Sequence, residues 1–209
     1  MPDNACGRLR LGRWLARLAR RCVRRRYFNR TVAMREDPAA REGLRDMIDW
    51  WGDARNLVMV EIGSYSGESA EIFLASGKVA KLYCVDPWRM DYDPNDVAAF
   101  TDMERIERIF DDRFAGETRM FKVKGTIDDM AARLETHPEK VDVVYVDGCH
   151  TYEAVRHDLT VALSMIRPRL FICGHDYSDE WEGAKRAVEE VVGAPDAIFR
   201  DTSWGKRLA

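Results

Sequence analysis

The sequence predicts an α/β fold, doubly wound, with a mostly parallel sheet and helices on both faces. Three observations lead there. Five short runs, at 57–62, 81–85, 120–123, 141–146 and 170–173, are mainly apolar at consecutive rather than alternate positions, as expected of strands buried on both faces. Helical patterns separate most of these runs, and alternating strands and helices make parallel neighbours. Gly63, Asp86, Asp147 and Gly174 each directly follow a run, at the carboxyl edge where such a sheet binds its ligand.

Length and composition agree with one domain. The chain has 209 residues, 46% of them hydrophobic and 33% charged, with 14 Gly and 7 Pro, which excludes collagenous, low-complexity and disulfide-dense classes. No apolar run approaches the ~20 residues of a membrane span, and none near the N-terminus has the ~7–15 apolar residues of a signal-peptide core, so a cytoplasmic location is expected. Cys6, Cys22, Cys84, Cys149 and Cys173 are odd in number and lack C-x-x-C spacing. They read as reduced thiols and argue against a zinc finger.

The net charge of −3 hides an asymmetry. Residues 1–30 hold ten Arg, no Lys and one acid, a balance of +9, while the remainder holds 23 basic and 35 acidic residues, a balance of −12. On a helical wheel Leu11, Trp14, Leu15, Leu18 and Cys22 share one side and Arg10, Arg13, Arg17, Arg20, Arg21 and Arg24 the other. This basic amphipathic arm suits peripheral membrane contact through residues 8–26. It equally suits docking on the acidic body or on a second copy in a homo-oligomer.

The elements follow in order. In 31–56 a leading helix is expected, with Asp37 as N-cap, Pro38 at the first helical position and a stripe of Leu44, Met47, Ile48 and Trp51 running to about Gly52. The first strand at 57–62 meets a Gly-rich turn, then a helix from Gly67 to about Gly77. An insertion at about 89–118 carries a stripe of Phe100, Met103, Ile106, Phe110 and Phe114; it packs on the core or forms a lid. A helix is expected from Trp181 to Val192, and 197–200 with 204–208 read as a terminal hairpin.

The strand ends carry the chemistry. Gly63 and Gly67 let the backbone turn and approach a ligand, and Asp86 can accept both hydroxyls of a ribose. A dinucleotide fingerprint would need Gly at position 65, which is Tyr65, so a nicotinamide dehydrogenase is disfavoured. Glu61 just before the turn would repel a pyrophosphate and suits a ligand bearing an ammonium or sulfonium.

With these residues in place the chain resembles class I S-adenosylmethionine-dependent methyltransferases. Residues Gly63-Ser64-Tyr65-Ser66-Gly67-Glu68-Ser69 are similar to the loop of the catechol O-methyltransferase branch. Val146-Asp147-Gly148-Cys149-His150-Thr151-Tyr152-Glu153, Cys173-Gly174-His175-Asp176-Tyr177 and Gly183-Ala184-Lys185-Arg186-Ala187-Val188 resemble the macrocin O-methyltransferase and cephalosporin-biosynthesis methyltransferase group. The likeness runs from about Leu57 to Leu208. It implies a Rossmann-like methyltransferase domain at 57–209, built on a seven-stranded sheet whose last strand is antiparallel.

The resemblance also implies roles. Gly63, Ser64, Tyr65, Gly67 and Ser69 would surround the methionine portion of S-adenosylmethionine, Glu61 would support the loop, Asp86 would bind the ribose, Thr126 and Ile127 would approach the adenine, and Asp147 would border the cofactor. Asp147 and Asp176 would hold a divalent metal, Mg²⁺ or Mn²⁺, against the acceptor oxygens. His175 stands where relatives often have a carboxylate; its imidazole suits Mn²⁺, Fe²⁺ or Zn²⁺ better than Mg²⁺, so either the metal differs, or His175 is no ligand, or the site is metal-free. His150 occupies the general-base position, where an ordinary value near pH 6.5 would serve; a helix-capping histidine is the bland alternative. Cys149 reads as a bystander, Trp88 as pocket wall or packing, and His157 and Asp158 as packing or salt-bridge residues. The implied reaction is methyl transfer to a hydroxyl of a small molecule or saccharide. A phenolic or natural-product hydroxyl, or a membrane-associated accessory protein without turnover, are the alternatives. A nucleic-acid partner is disfavoured by the acidic body and by the lack of an Asn-Pro-Pro-Tyr type motif after the fourth strand.

Overall fold

The computed structural model describes residues 35, 37–90, 92, 93, 96 and 100–208, with the backbone alone at 167–169. The basic arm at 1–30 lies outside the described residues. Helix α1 (Pro38–Trp50) starts where Asp37 accepts a hydrogen bond from the Ala39 N–H at 2.9 Å and Pro38 supplies a preset φ. Its stripe of Leu44, Met47 and Ile48 is buried, and Trp51 beyond it stacks on Phe73 and Phe171. The end of α1 is held by Lys78, whose ammonium donates to the carbonyls of Ile48 and Gly52 at 2.8 and 2.7 Å. A cation on otherwise unsatisfied C-terminal carbonyls stabilises a helix end. Lys78→Met is therefore expected to cost about 1–3 kcal/mol, the range for stranding buried polar groups, read as a lower midpoint in urea with unchanged slope.

Then come β1 (Leu57–Ile62), α2 (Glu68–Ala75), β2 (Val79–Asp86), α3 (Met103–Arg113), β3 (Met120–Lys124), α4 (Ile127–Thr136), β4 (Val141–Val146), α5 (Tyr152–Met165), β5 (Ile166–Gly174), α6 (Glu182–Val191), β6 (Ala197–Ile198) and β7 (Trp204–Arg207). The sheet has seven strands in the order β3-β2-β1-β4-β5-β7-β6. Strands β1 to β5 pair in parallel, and β7 runs antiparallel between β5 and β6. The terminal hairpin and the antiparallel last strand agree with the sequence reading. Strand β5 starts four residues earlier than the apolar run at 170–173 suggests, because α5 passes directly into it at Ile166, which is extended at φ −79° and ψ 142°; the following Pro168 disfavours further helix.

Consecutive strand residues feed opposite cores, which explains why the runs are not alternating. Met59, Leu82, Cys84, Val143 and Tyr145 pack with α1, α2 and α3 on one face, whereas Val60, Tyr83, Val85, Val144 and Val146 pack with α4, α5 and α6 on the other. The insertion's stripe is buried at Met103, Ile106, Phe110 and Phe114, and Phe110 lies 5.0 Å from the Trp88 ring. Order reverses between β1 and β4: the chain winds outward to β2 and β3, then returns to the other side of β1. The crevice at that switch point is where ligands of such sheets bind.

Candidate active site

Backbone hydrogen bonds continue past the strand ends and fix the crevice floor. Gly63 N–H donates to Val85 at 2.8 Å, Asp147 N–H to Ile62 at 2.8 Å, and His175 N–H to Val146 at 3.1 Å. Gly63 sits at φ 88°, and a Cβ there would lie 1.9 Å from the Asp147 carbonyl oxygen. Only glycine allows the first turn to approach β4 so closely. Above this floor opens a cleft of about 410 Å³, lined by the 63–66 turn, Ser69, Asp86, Gly125, Thr126, Asp147 and the residues below.

One side of the cleft is a braced loop. Glu61 is fully buried and accepts from Ser64 Oγ at 2.7 Å and Ser69 Oγ at 2.5 Å. Burial outweighs those two bonds and pushes its carboxyl up to about 7. Asp86 accepts the backbone N–H groups of Tyr65 at 2.9 Å and Trp88 at 2.6 Å, while burial pushes it up to about 6. Trp88 Nε1–H in turn donates to the Tyr65 carbonyl at 2.9 Å. Each carboxylate oxygen has a second lone pair, so Asp86 can brace the loop and still face a ligand.

Gly63, Ser64, Tyr65, Ser69, Asp86, Thr126 and Asp147 all line the cleft. Gly67 and Ile127 do not line it, and Glu61 stands in the supporting place expected of it. Glu61 lies behind the loop. Gly67, at φ 83°, lies under the insertion, where a Cβ would meet Phe114 at 2.4 Å. Ile127 is fully buried in the core beneath α4: as first residue of that helix it points into the sheet, and the cleft wall is instead Gly125 and the capping Thr126.

The other side is a chain of charge. His150 Nδ1 lies 3.0 Å from Asp93 and its Nε2 2.8 Å from Asp176, with the ring 4.4 Å from Trp181. His175 Nδ1 lies 3.0 Å from Asp176 and 3.8 Å from Asp147. Burial alone would depress His150, yet Asp176 and Asp93 prevail and push it up to about 11. Burial likewise opposes the charge on His175, and Asp147 and Asp176 raise it. Asp176 is held well below the usual carboxylate range because its two histidine partners outweigh burial. An ordinary histidine value is thus replaced by an imidazolium braced between two acids. Asp176 adopts φ 61°, a left-handed conformation uncommon for a non-glycine residue.

Asp147, His175 and Asp176 each offer a ligand atom within 4.8 Å of the other two. Two carboxylates and an imidazole in this proximity fit a divalent cation of intermediate hardness. Asp147 Oδ2 is also 3.3 Å from Arg35, whose guanidinium reaches Tyr145 Oη at 3.0 Å and Asp201 at 3.1 Å. Burial opposes the Arg35 charge, but these neighbours keep it firmly protonated.

Sequence reasoning did not identify Arg35, Asp93 or Asp201. None belongs to a motif, and each reaches the site across 57 to 166 residues of chain. Cys149 is buried with its thiol pushed up, chiefly by burial, and so is not activated. His157 pairs with Asp128 at 3.0 Å on the surface, while Asp158 turns inward and lines the cleft.

A seven-stranded sheet in this order, with a Gly-rich first turn, an acid ending β2 and a cleft at the switch point, defines a class I methyltransferase fold. The chain belongs to the methyltransferase-domain family, whose model matches residues 60–177. Among solved structures it is similar to the calicheamicin methyltransferase CalS11, with TM-score 0.64 and 16% identity over 83% of this chain and 80% of that one. It is also similar to the O-methyltransferase NovP, with TM-score 0.58 and 18% identity over 81% of this chain and 78% of that one. A curated relative, an uncharacterized protein of Acanthamoeba polyphaga mimivirus, is 24% identical over 156 residues, or 72% of this chain. The chain spans 63% of that relative's length. Among the described residues no helix is long and apolar enough to cross a membrane.

Proposed function

We propose that the protein transfers the methyl group of S-adenosylmethionine to a hydroxyl oxygen of a small molecule or saccharide. The observation that carries this reading is the juxtaposition, in one cleft, of the braced Gly63–Ser69 loop with the His150, Asp176 and Asp147 cluster. S-adenosylmethionine supplies an electrophilic methyl on a sulfonium. The loop would hold its methionine end and Asp86 its ribose. CalS11 is a TDP-rhamnose 3'-O-methyltransferase, and the likeness to it favours a saccharide acceptor.

His150 is assigned the acceptor's proton. Asp93 orients the ring through Nδ1 and, with Asp176, stabilises the imidazolium that proton transfer leaves. The same carboxylates make the neutral, proton-accepting form scarce near pH 7. Asp147, His175 and Asp176 would hold a divalent cation, Mg²⁺ or Mn²⁺, which acidifies a hydroxyl bound to it. Arg35 keeps Asp147 and Asp201 in place.

The test is a panel of nucleotide sugars, free saccharides, catechols, amines and thiols, with conversion of S-adenosylmethionine to S-adenosylhomocysteine as the readout. Turnover with hydroxyl acceptors is expected; turnover confined to amines or thiols contradicts the reading. Asp86→Ala should weaken S-adenosylhomocysteine by roughly 10- to 100-fold, the worth of hydrogen bonds to a charged group. Calorimetry showing unchanged affinity would remove Asp86 from the ribose site.

A further inference from the structure

Asp158 is a buried acid that the reaction as assigned leaves idle. It lies on α5 with 6% of its surface exposed, and it lines the cleft. Among the described residues no hydrogen bond or ion pair reaches its carboxylate, and its chain neighbour His157 faces away to Asp128. A buried carboxyl without donors is costly. Burial pushes this one up to about 7. A group of this kind in a native cleft calls for an explanation, and a ligand that brings the missing donor is one.

Its position says which part of a ligand would do so. Gly125 N–H donates to the Asp86 carbonyl at 3.0 Å, so the 125–126 turn adjoins the strand end assigned to the ribose. A Cβ on Gly148 would lie 3.6 Å from Asp158 Oδ2, so Asp158 stands over the start of the β4 loop. Gly125, Thr126, Gly148, Tyr92 and Asp158 all line the cleft with Asp86. They share this cleft with the strand end of β2. With the methionine end in the Gly63–Ser69 loop and the ribose on Asp86, the base attached to the ribose falls against these residues.

We propose that Asp158 accepts a hydrogen bond from the exocyclic 6-amino group of the cofactor's adenine, and that it is the residue by which the cleft selects a 6-aminopurine. This inference rests on the cofactor assignment above. A carboxyl oxygen accepts from the amino group, whereas a purine with hydrogen at C6 offers no donor there and leaves the buried acid unpaired.

The test compares S-adenosylhomocysteine with its 6-deamino analogue by calorimetry on the full chain. The wild type should prefer the amino compound by about 10- to 100-fold, the worth of one hydrogen bond to a charged group. Asp158→Ala should bind the two equally, and Asp158→Asn, whose amide oxygen still accepts, should keep part of the preference. The melting temperature of the ligand-free Asp158→Asn protein should not fall, since the change removes a buried acid that has no partner among the described residues; a carboxylate with a merely structural role would lower it. Retention of the full preference by Asp158→Ala, or by Asp158→Asn together with a lower melting temperature, overturns the inference. A wild type that binds both ligands equally overturns it while sparing the cofactor assignment. A folded wild type that binds neither overturns both.

Discussion

Replacing His150 with Ala or Gln is expected to lower turnover by about 10²–10⁴-fold, the usual worth of a general base, while cofactor affinity changes by no more than a few-fold. Gln can still donate to one flanking carboxylate but cannot take a proton, so it separates proton transfer from bracing. The pH profile supplies a second readout. Only neutral imidazole accepts a proton, and Asp176 and Asp93, outweighing burial, push His150 up to about 11. A base whose folded pKa is raised moves the rising limb to higher pH, so kcat/KM should keep climbing above pH 7 instead of levelling near 6.5. Asp93→Asn removes one of the two carboxylates and should move the limb down. A limb that levels near 6.5 in the wild type would mean that the two acids do not face the ring in the working enzyme. Full activity in His150→Gln would leave the histidine as a brace between Asp93 and Asp176.

Gly63→Ala is expected to be the most damaging glycine-to-alanine change among the described residues. Its Cβ would lie 1.9 Å from the Asp147 carbonyl oxygen, a backbone atom that cannot move without breaking the Asp147 N–H to Ile62 hydrogen bond. Its φ of 88° adds backbone strain. A loss of at least about 3 kcal/mol, the scale of severe overpacking and strain together, and of cofactor binding is expected. Gly52 provides the internal comparison: it has φ 64° but nothing within 4 Å of an added Cβ. Gly52→Ala should therefore cost only the left-handed penalty of about 1–2 kcal/mol and leave binding intact. Equal effects at the two positions, measured by urea unfolding, would show that backbone conformation rather than the approach of β1 to β4 governs Gly63.

Legibility in the sequence divides along physical lines. The parallel strands could be read because burial on both faces makes Val143, Val144, Tyr145 and Val146 apolar in succession, each feeding one of two cores. Asp86, Asp147 and Asp176 could be picked out because the fold places strand ends at the ligand edge, so position along the chain reports position in the site. Side chains that enter the site from elsewhere carry no such mark. Arg35 precedes α1, Asp93 lies in the insertion and Asp201 in the terminal hairpin turn, and only tertiary packing brings them to Asp147 and His150. The sequence does not separate Thr126 from Ile127: the side chain at the first position of α4 faces the core, and the cap before it faces the cleft. Likewise, a pattern with His157 and Asp158 adjacent on a helix does not reveal which of the two turns inward.

Whether the cleft at the β1/β4 switch point holds S-adenosylmethionine is tested most directly by calorimetric titration of the intact protein with S-adenosylhomocysteine. Saturable binding at one site per chain is expected, weakened roughly 10- to 100-fold by Asp86→Ala. Absence of binding by a folded protein, or binding that Asp86→Ala and Gly63→Ala both leave unchanged, would contradict cofactor binding in this cleft.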